Sequence, residues 1–173
     1  MSYVCLMKLI RTAITTFAFL TPFAAMASTP TPIGPNGGTY GNWIAATYGS
    51  GSHKICYAFT KPKHSSPALS GRGTPMLTVS ERHSSRDDIS ITPGYNYPSQ
   101  ASVTVTVGNV TIPFYAQGNI AFTEKVSKAL LAFKRGYTAT TTATGPSPGT
   151  MVTDEYSLSG FTDAYDAIVR ACP

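Results

Sequence analysis

Charged residues are scarce in this chain. Aspartate, glutamate, lysine and arginine make up 12% of its 173 residues, with 13 basic and 8 acidic side chains. Lys8 and Arg11 lie near the amino terminus, and the chain beyond residue 27 has a net charge of only +3. Proteins that bind nucleic acid concentrate many more lysines and arginines on one face. We therefore expect no nucleic-acid partner.

The chain also lacks an apolar run long enough to cross a membrane. The longest such segment, residues 13–25, contains threonines and Pro22 and falls short of the roughly 20 residues that a transmembrane helix needs. Two cations precede it, and Ala25-Met26-Ala27 follows it as a cleavage site of the A-x-A type. These features predict a signal peptide over residues 1–27, export to the periplasm or the outer surface, and no transmembrane segment in the mature chain.

Cysteine is equally rare. Of three cysteines, Cys5 precedes the apolar segment and is removed with it, which leaves Cys56 and Cys172. One pair of thiols in an oxidising compartment predicts one structural disulfide. This bond would join an early strand to the last helical turn.

Motifs for cofactors and metals are largely missing. The chain contains no phosphate-cradling glycine motif and no dinucleotide fingerprint, so we expect no cofactor. His53 and Cys56 have the spacing of a ligand pair, but the disulfide takes Cys56. Asp87 and Asp88 are neighbours that would point to opposite faces of a strand. We therefore expect no metal site.

One string matches a catalytic pattern. Residues 145–149, Gly-Pro-Ser-Pro-Gly, fit the G-x-S-x-G nucleophile elbow. However, Pro148 has no N–H for an oxyanion hole, and all three histidines precede Ser147, which reverses the order of that fold. We interpret the string as a loop and the protein as non-catalytic. The alternative is an envelope hydrolase with a site assembled from loops, for which His83, Asp87 and Ser147 are the candidates.

What the chain does contain is the alternation of β-strands. Residues 28–39 are rich in proline and glycine and are expected to form a flexible leader, followed by a single domain over residues 40–173. Strands are predicted near residues 43–47, 55–59, 76–82, 89–92, 103–107, 110–114, 137–143 and 152–157, with loops at 61–74 and 145–149. Gly108-Asn109 between two β-branched runs predicts a two-residue hairpin.

Two segments change to a period of 3.6 residues. The first has its apolar stripe at Val126, Ala129, Leu130 and Phe133, with Thr123 as the cap and Gly136 at the end. The second has its stripe at Phe161, Ala164, Tyr165, Ile168 and Cys172, with Ser159 as the cap. The chain is thus predicted to be mainly β. We expect an antiparallel β sandwich or barrel-like domain with two helices, the second pinned at the C-terminus by the disulfide.

The surface offers two further hypotheses. Lys125, Lys128 and Arg135 lie on the face of the first helix opposite its apolar stripe and could bind an anionic membrane surface or an acidic partner. The alternative is a solvated face without a ligand. Five tyrosines could line a sugar or peptide site or belong to the core: Tyr95, Tyr97, Tyr115, Tyr156 and Tyr165.

Several segments resemble one family. They are Arg72-Gly73 leading into residues 76–82, residues 89–95, and Asp154 to Phe161 running on to the terminal Ala-Cys-Pro. On these residues the chain resembles the invasion-associated locus B family over nearly its whole mature length. The resemblance implies an exported bacterial protein, mainly β, with paired cysteines at Cys56 and Cys172 and no established enzymatic activity. Namesakes of the family are associated with the entry of pathogens into host cells.

Export, the disulfide and the missing catalytic constellation favour a non-catalytic interaction module. Its partner would be an unknown protein or envelope component. Besides the hydrolase, a third hypothesis is an envelope-stability factor without a discrete ligand.

Overall fold

A computed structural model describes residues 29–173, so the predicted signal peptide lies outside the described residues. Within them the strands are β1 (Thr31–Pro32), β2 (Thr39–Tyr40), β3 (Trp43–Tyr48), β4 (Ile55–Thr60), β5 (His64–Ser66), β6 (Met76–Arg82), β7 (Asp88–Thr92), β8 (Ser102–Val107), β9 (Val110–Gln117), β10 (Ile120–Phe122), β11 (Thr138–Thr144) and β12 (Met151–Ser157). The helices are α1 (Pro35–Gly38), α2 (Val126–Arg135) and α3 (Phe161–Ala171), with a 3₁₀ turn at Gly51–His53. None of these helices is long and apolar enough to span a bilayer.

All strands belong to one antiparallel sheet in the order β1-β3-β4-β6-β7-β10-β9-β8-β11-β12-β5, with β2 also paired to β3. The ladder of strand pairs does not close on itself, but hydrogen bonds join the start of β3 to the end of β12. The Trp43 indole donates a hydrogen bond of 3.0 Å to the Ser157 carbonyl, and the Asn42 N–H donates one of 3.0 Å to the Ser159 carbonyl. The expectation of a mainly β, antiparallel domain with a helix at the C-terminus is confirmed.

The predicted hairpin is present. Val107 pairs with Val110, and Gly108 has a φ of 54°, which a two-residue turn of this kind requires. Pro113 lies in β9 opposite Thr104, beyond the three residues that pair with β10. Its missing N–H therefore falls where β9 has no neighbour on that side, which is the edge position that a proline in a strand needs.

The chain uses its sheet edges more fully than its sequence indicates. In the leader, Thr31 pairs with Thr47 of β3, and in the predicted 61–74 loop, Ser65 pairs with Asp154 of β12. The structure therefore differs from the expectation that both segments lack regular elements. The reason is tertiary, because an open sheet edge presents unpaired N–H and C=O groups that a polar segment can satisfy without having strand propensity itself.

The core face of β4 carries Cys56, Ala58 and Thr60, whereas Tyr57 and Phe59 stack on the opposite face with ring centroids 6.1 Å apart. The alternation of residues in the sequence does not show which face of β4 is buried. Cys56 must point inward because its partner lies on the buried side of α3. The two cysteines form the predicted disulfide, with Cα atoms 5.9 Å apart.

The helix termini differ in detail from the prediction. Ser159 does not cap α3, because Gly160 occupies that position with a φ of 88°. A Cβ atom at Gly160 would overlap the carbonyl oxygen of Tyr40, so the close approach of β2 to α3 requires glycine. At α2, Lys125 is the N-cap residue, and its N–H is bound by the Thr123 hydroxyl at 3.1 Å.

Three aromatic rings join α3 to the rest of the core. The Phe161 ring meets Trp43 edge-on at 4.9 Å and Phe133 of α2 edge-on at 5.4 Å. All three side chains are buried. Edge-to-face pairs of this kind add to the free energy gained by burying apolar area. Trp43 is thus a core residue, as predicted.

We predict that Cys172→Ser lowers the free energy of unfolding strongly. The bond spans 116 residues, and constraining a loop of about a hundred residues in the unfolded chain is worth up to ~4.7 kcal/mol. Urea denaturation of the oxidised protein, the reduced protein and the variant measures this. The double variant Cys56→Ser/Cys172→Ser is the control and should match the single one. Equal midpoints for oxidised and reduced protein would contradict the prediction.

Candidate functional site

An open, mainly apolar groove lies between α2, the β8–β9 hairpin and the start of β11. We call it the α2 groove; it has a volume of about 540 Å³, and its lining includes Val107, Val110, Lys128, Leu131, Arg135 and Tyr137. This size lies within the range of ligand sites in proteins.

The local sequence explains why the groove stays open. Lys128, Leu131 and Arg135 recur at i, i+3 and i+7, which places them on one stripe of α2. Gly136 ends the helix with an extended backbone, a φ of −92°, rather than the left-handed conformation. Glycine is needed there for space, since a Cβ atom would overlap Val107. The chain therefore turns sharply into β11 and leaves Tyr137 beside the groove.

Two apolar side chains of the α2 groove face solvent. Leu131 is 51% exposed and Tyr137 is 91% exposed. The sequence does not predict either as a site residue, because Leu131 lies outside the apolar stripe of α2 and Tyr137 begins a predicted strand. The available signal was the spacing of Leu131 from Lys128 and Arg135, which places an apolar residue between two cations on one helical face.

The charges around the groove are of one sign. Among the described residues that line it, none is acidic. The Lys128 ammonium donates a hydrogen bond of 2.9 Å to the Thr111 carbonyl, which fixes its position and leaves two of its three donors free. Arg135 has no ion-pair partner within residues 29–173. The neighbouring Lys134 is directed elsewhere, since it lies 3.8 Å from Asp166 and over the Tyr165 ring.

The structure brings two of the three predicted surface cations together. Lys128 and Arg135 line the α2 groove, whereas Lys125 precedes the first turn and lines a separate, smaller pocket with Tyr115 and Glu124. The expectation of one shared face assumed that Lys125 continues the helix, but its φ and ψ of −91° and 44° are not helical.

The candidate residues of the hydrolase hypothesis are dispersed. His83 is exposed in the turn between β6 and β7, and Asp87 of the same turn is bound to Tyr165. Ser147 lines a different pocket, formed by Pro98, Ser99 and residues 144–148, which include no histidine and no carboxylate. Within residues 29–173, no three histidine, cysteine or acidic side chains are placed to hold a metal ion.

A buried ion pair lies at the middle of β12, where Asp154 is the fourth of seven residues. Arg72 binds the Asp154 carboxylate with two nitrogens, at 2.9 and 2.6 Å, and its Nε donates to the Pro93 carbonyl at 2.7 Å. The Ser65 hydroxyl donates to the same carboxylate at 2.6 Å. Burial acts to lower the pKa of Arg72, but the hydrogen bonds and charge of Asp154 raise it above its ordinary value. Arg72 therefore stays charged, and its contacts with Asp154 tie the loop that follows β5 to β12.

Tyrosines surround this pair. The Tyr95 ring lies 5.6 Å from the Arg72 guanidinium, while the hydroxyls of Tyr97 and Tyr156 are buried without a partner among the described residues. Burial raises the pKa of both hydroxyls far above the ordinary range, and the charge of Asp154 adds to the shift. These tyrosines belong to the core rather than to a sugar or peptide site. Of the five predicted candidates, Tyr115 is the most exposed.

A second polar cluster lies beside the disulfide. Glu81 is fully buried opposite Cys56 in the sheet, with Arg86 Nε 2.7 Å from its carboxylate. The Arg86 N–H does not point at the Glu81 Oε2 atom, so this oxygen accepts no hydrogen bond despite the short distance. Burial raises the pKa of Glu81 to about 7, the adjacent Asp87 contributes to the rise, and Arg86 opposes it.

The Glu81 cluster holds the end of α3. The Tyr165 hydroxyl donates to Asp87 at 2.5 Å, and the Arg86 guanidinium donates to the Cys172 carbonyl at 2.6 Å. Burial, and then the hydrogen bond to Asp87, raise the pKa of Tyr165, so this hydroxyl remains a donor at neutral pH. These two hydrogen bonds attach α3 and the residue that follows it to the turn between β6 and β7.

Fold and surface together define a disulfide-linked antiparallel β domain that carries a cation-rimmed apolar groove on a peripheral helix. Residues 43–169, from the first residue of β3 almost to the end of α3, match the model of the family described as Invasion associated locus B (IalB) protein. The match covers most of the chain, and the chain belongs to this family. Comparison with curated proteins and with solved structures gave no match.

We predict that Arg72→Ala lowers the free energy of unfolding by about 3–5 kcal/mol, because it leaves the Asp154 carboxylate buried without its counter-charge. Urea denaturation measures the loss. The double variant Arg72→Met/Asp154→Leu removes both charges and should recover most of it. Arg82→Ala, at an exposed arginine of β6, is the matched control. Equal losses for Arg72→Ala and Arg82→Ala would contradict the assigned role.

We also predict a pH dependence due to Glu81. A raised pKa in the folded state means that its contribution to stability is full below the unfolded pKa near 4.5 and is lost as the pH rises to about 7. The loss from this group is up to ~3 kcal/mol. Glu81→Gln should remove that slope between pH 5 and pH 8 in urea denaturation, and Glu155→Gln, at an exposed site, should retain it. An unchanged slope in Glu81→Gln would refute the assignment.

Proposed function

We propose that the protein is an exported, non-catalytic interaction module that contacts an envelope component through the α2 groove. The observation that carries the proposal is the exposure of Tyr137 and Leu131 beside Lys128 and Arg135. An aromatic and an aliphatic side chain that face water together mark a contact surface. The cations select partners that carry negative charge.

The rigidity of the surroundings supports the proposal. Phe133 of α2 is buried against Phe161 of α3, and the disulfide holds the far end of α3. The stripe of Lys128, Leu131 and Arg135 is therefore presented in one orientation. A preorganised surface loses less conformational entropy when it binds.

The dispersal of His83, Asp87 and Ser147 supports the non-catalytic part of the proposal. A nucleophile and its base must lie within hydrogen-bond reach, and Asp87 is engaged by Tyr165 while Ser147 lines a pocket without a base. The single disulfide suits an oxidising compartment, which supports a location in the periplasm or on the outer surface. The family's description refers to invasion, and we extend the proposal to host-cell contact for relatives from pathogens.

We predict that a photo-crosslinking amino acid at position 131 captures a defined component when the protein is expressed in its native host. The same probe at Met151, which is 50% exposed on β12, is the matched control and should capture nothing at comparable yield. Mass spectrometry of the adduct identifies the component, and fractionation of the cells gives its compartment. Equal yields at both positions, or cytoplasmic protein only, would overturn the proposal.

A further inference from the structure

We infer that the component contacted by the α2 groove is a bilayer surface rich in anionic phospholipid. The inference rests on the proposed function and names the partner of the same site. It is carried by three features of the described residues: the kind of apolar side chain exposed, the sign and spacing of the charges, and the shape of the groove between them.

The exposed side chains are of the kind that anchor proteins at a membrane interface. Tyr137, 91% exposed, has an apolar ring and a polar hydroxyl, and such rings settle at the level of the lipid headgroups. Leu131 lies on the same groove and would enter the boundary between headgroups and acyl chains. Exposing both apolar side chains to water does not stabilise the folded domain, so contact with a membrane explains their exposure better.

The charges complement a layer of phosphates. Lys128 and Arg135 are seven residues apart on α2, which separates them by about 10 Å along the helix axis. Two cations at this spacing can each meet a different headgroup, with Leu131 between them. The absence of acidic residues from the described lining means that no like charge repels the phosphates. Lys134 contributes less, because Asp166 partly neutralises it.

The α2 groove adds a cavity to this surface. Its volume of about 540 Å³ is bounded mainly by apolar side chains, among them Val107 and Val110 of the hairpin. A segment of one acyl chain fits such a space. The face between α2 and the hairpin is therefore matched to lipid.

The test uses the exported, processed protein with Tyr137→Trp as a reporter. Trp43 is the only natural tryptophan and is fully buried, so the wild-type protein supplies a constant background. We expect the emission of the introduced tryptophan to shift to the blue with vesicles of phosphatidylglycerol and phosphatidylcholine in equal parts, and not with phosphatidylcholine alone. Tyr48→Trp, at an exposed tyrosine of β3, should not shift with either vesicle.

Co-sedimentation with the same vesicles measures the partition coefficient. Arg135→Gln should lower it about five-fold, and Lys128→Gln/Arg135→Gln about 30-fold, as expected for cations near an anionic surface. Arg82→Gln removes an equal charge from an exposed site on β6 and should change it less than two-fold. Leu131→Ser should weaken binding without changing its dependence on salt.

Three results would overturn the inference. One is an equal loss of binding in Arg82→Gln and Arg135→Gln, which would indicate attraction by net charge alone. Another is a blue shift with monomeric laurate but not with vesicles, which would indicate a soluble amphiphile. The third is no vesicle binding together with a protein adduct specific to position 131. That last result would leave the proposed function standing and refute only the lipid partner.

Discussion

The position of α3 determines the rest of this structure. Phe161 fastens its first turn to Trp43, and the Cys56–Cys172 bond fastens its last turn to β4. Because the helix is held at both ends, Phe133 of α2 has a fixed ring to pack against. The α2 groove thus depends on a covalent bond that lies far from it in the chain. A disulfide that closes so long a loop can contribute a large part of the stability of a marginally stable domain.

Two buried polar clusters show how the fold balances charge against burial. Arg72 and Asp154 satisfy each other with two hydrogen bonds, and Ser65 and Pro93 take up further groups. Glu81 has weaker contacts, because Arg86 donates no aligned hydrogen bond to its Oε2 atom and the Asp87 carboxylate is adjacent. Arg72 therefore stays charged, while Glu81 favours its protonated form more than an ordinary glutamate does. Both carboxylates are buried, and they differ in the donors around them: burial raises the pKa of Glu81, and Arg86 opposes that rise only in part.

Local patterns in the sequence predicted what local physics determines. The Gly108-Asn109 hairpin, the 3.6-residue stripes of both helices and the inward position of Trp43 follow from turn chemistry and periodicity. The predicted removal of Cys5 leaves one possible pairing, that of Cys56 with Cys172. The sequence does not predict the pairing of β5 with β12 or the bidentate contact of Arg72 with Asp154. Both join residues 82 or more positions apart, and no local pattern encodes such contacts. The segments that carry the family likeness include both Arg72 and Asp154, but a pattern in one sequence does not show which residues meet. The same limit applies to the surface, where Tyr137 becomes a site residue only because Gly136 turns the chain beside α2.

The span of the sulfur bridge also has a topological effect. Most of the exposed loops in the described part of the chain fall between its two cysteines, including the 61–74 segment and the turn at Ser147. A protease that cuts one of them leaves two fragments still joined through Cys56 and Cys172. Sheet pairing can then hold the nicked halves in place, so a single cleavage does not release a piece of the domain. Such a molecule outlasts its first cut by a protease.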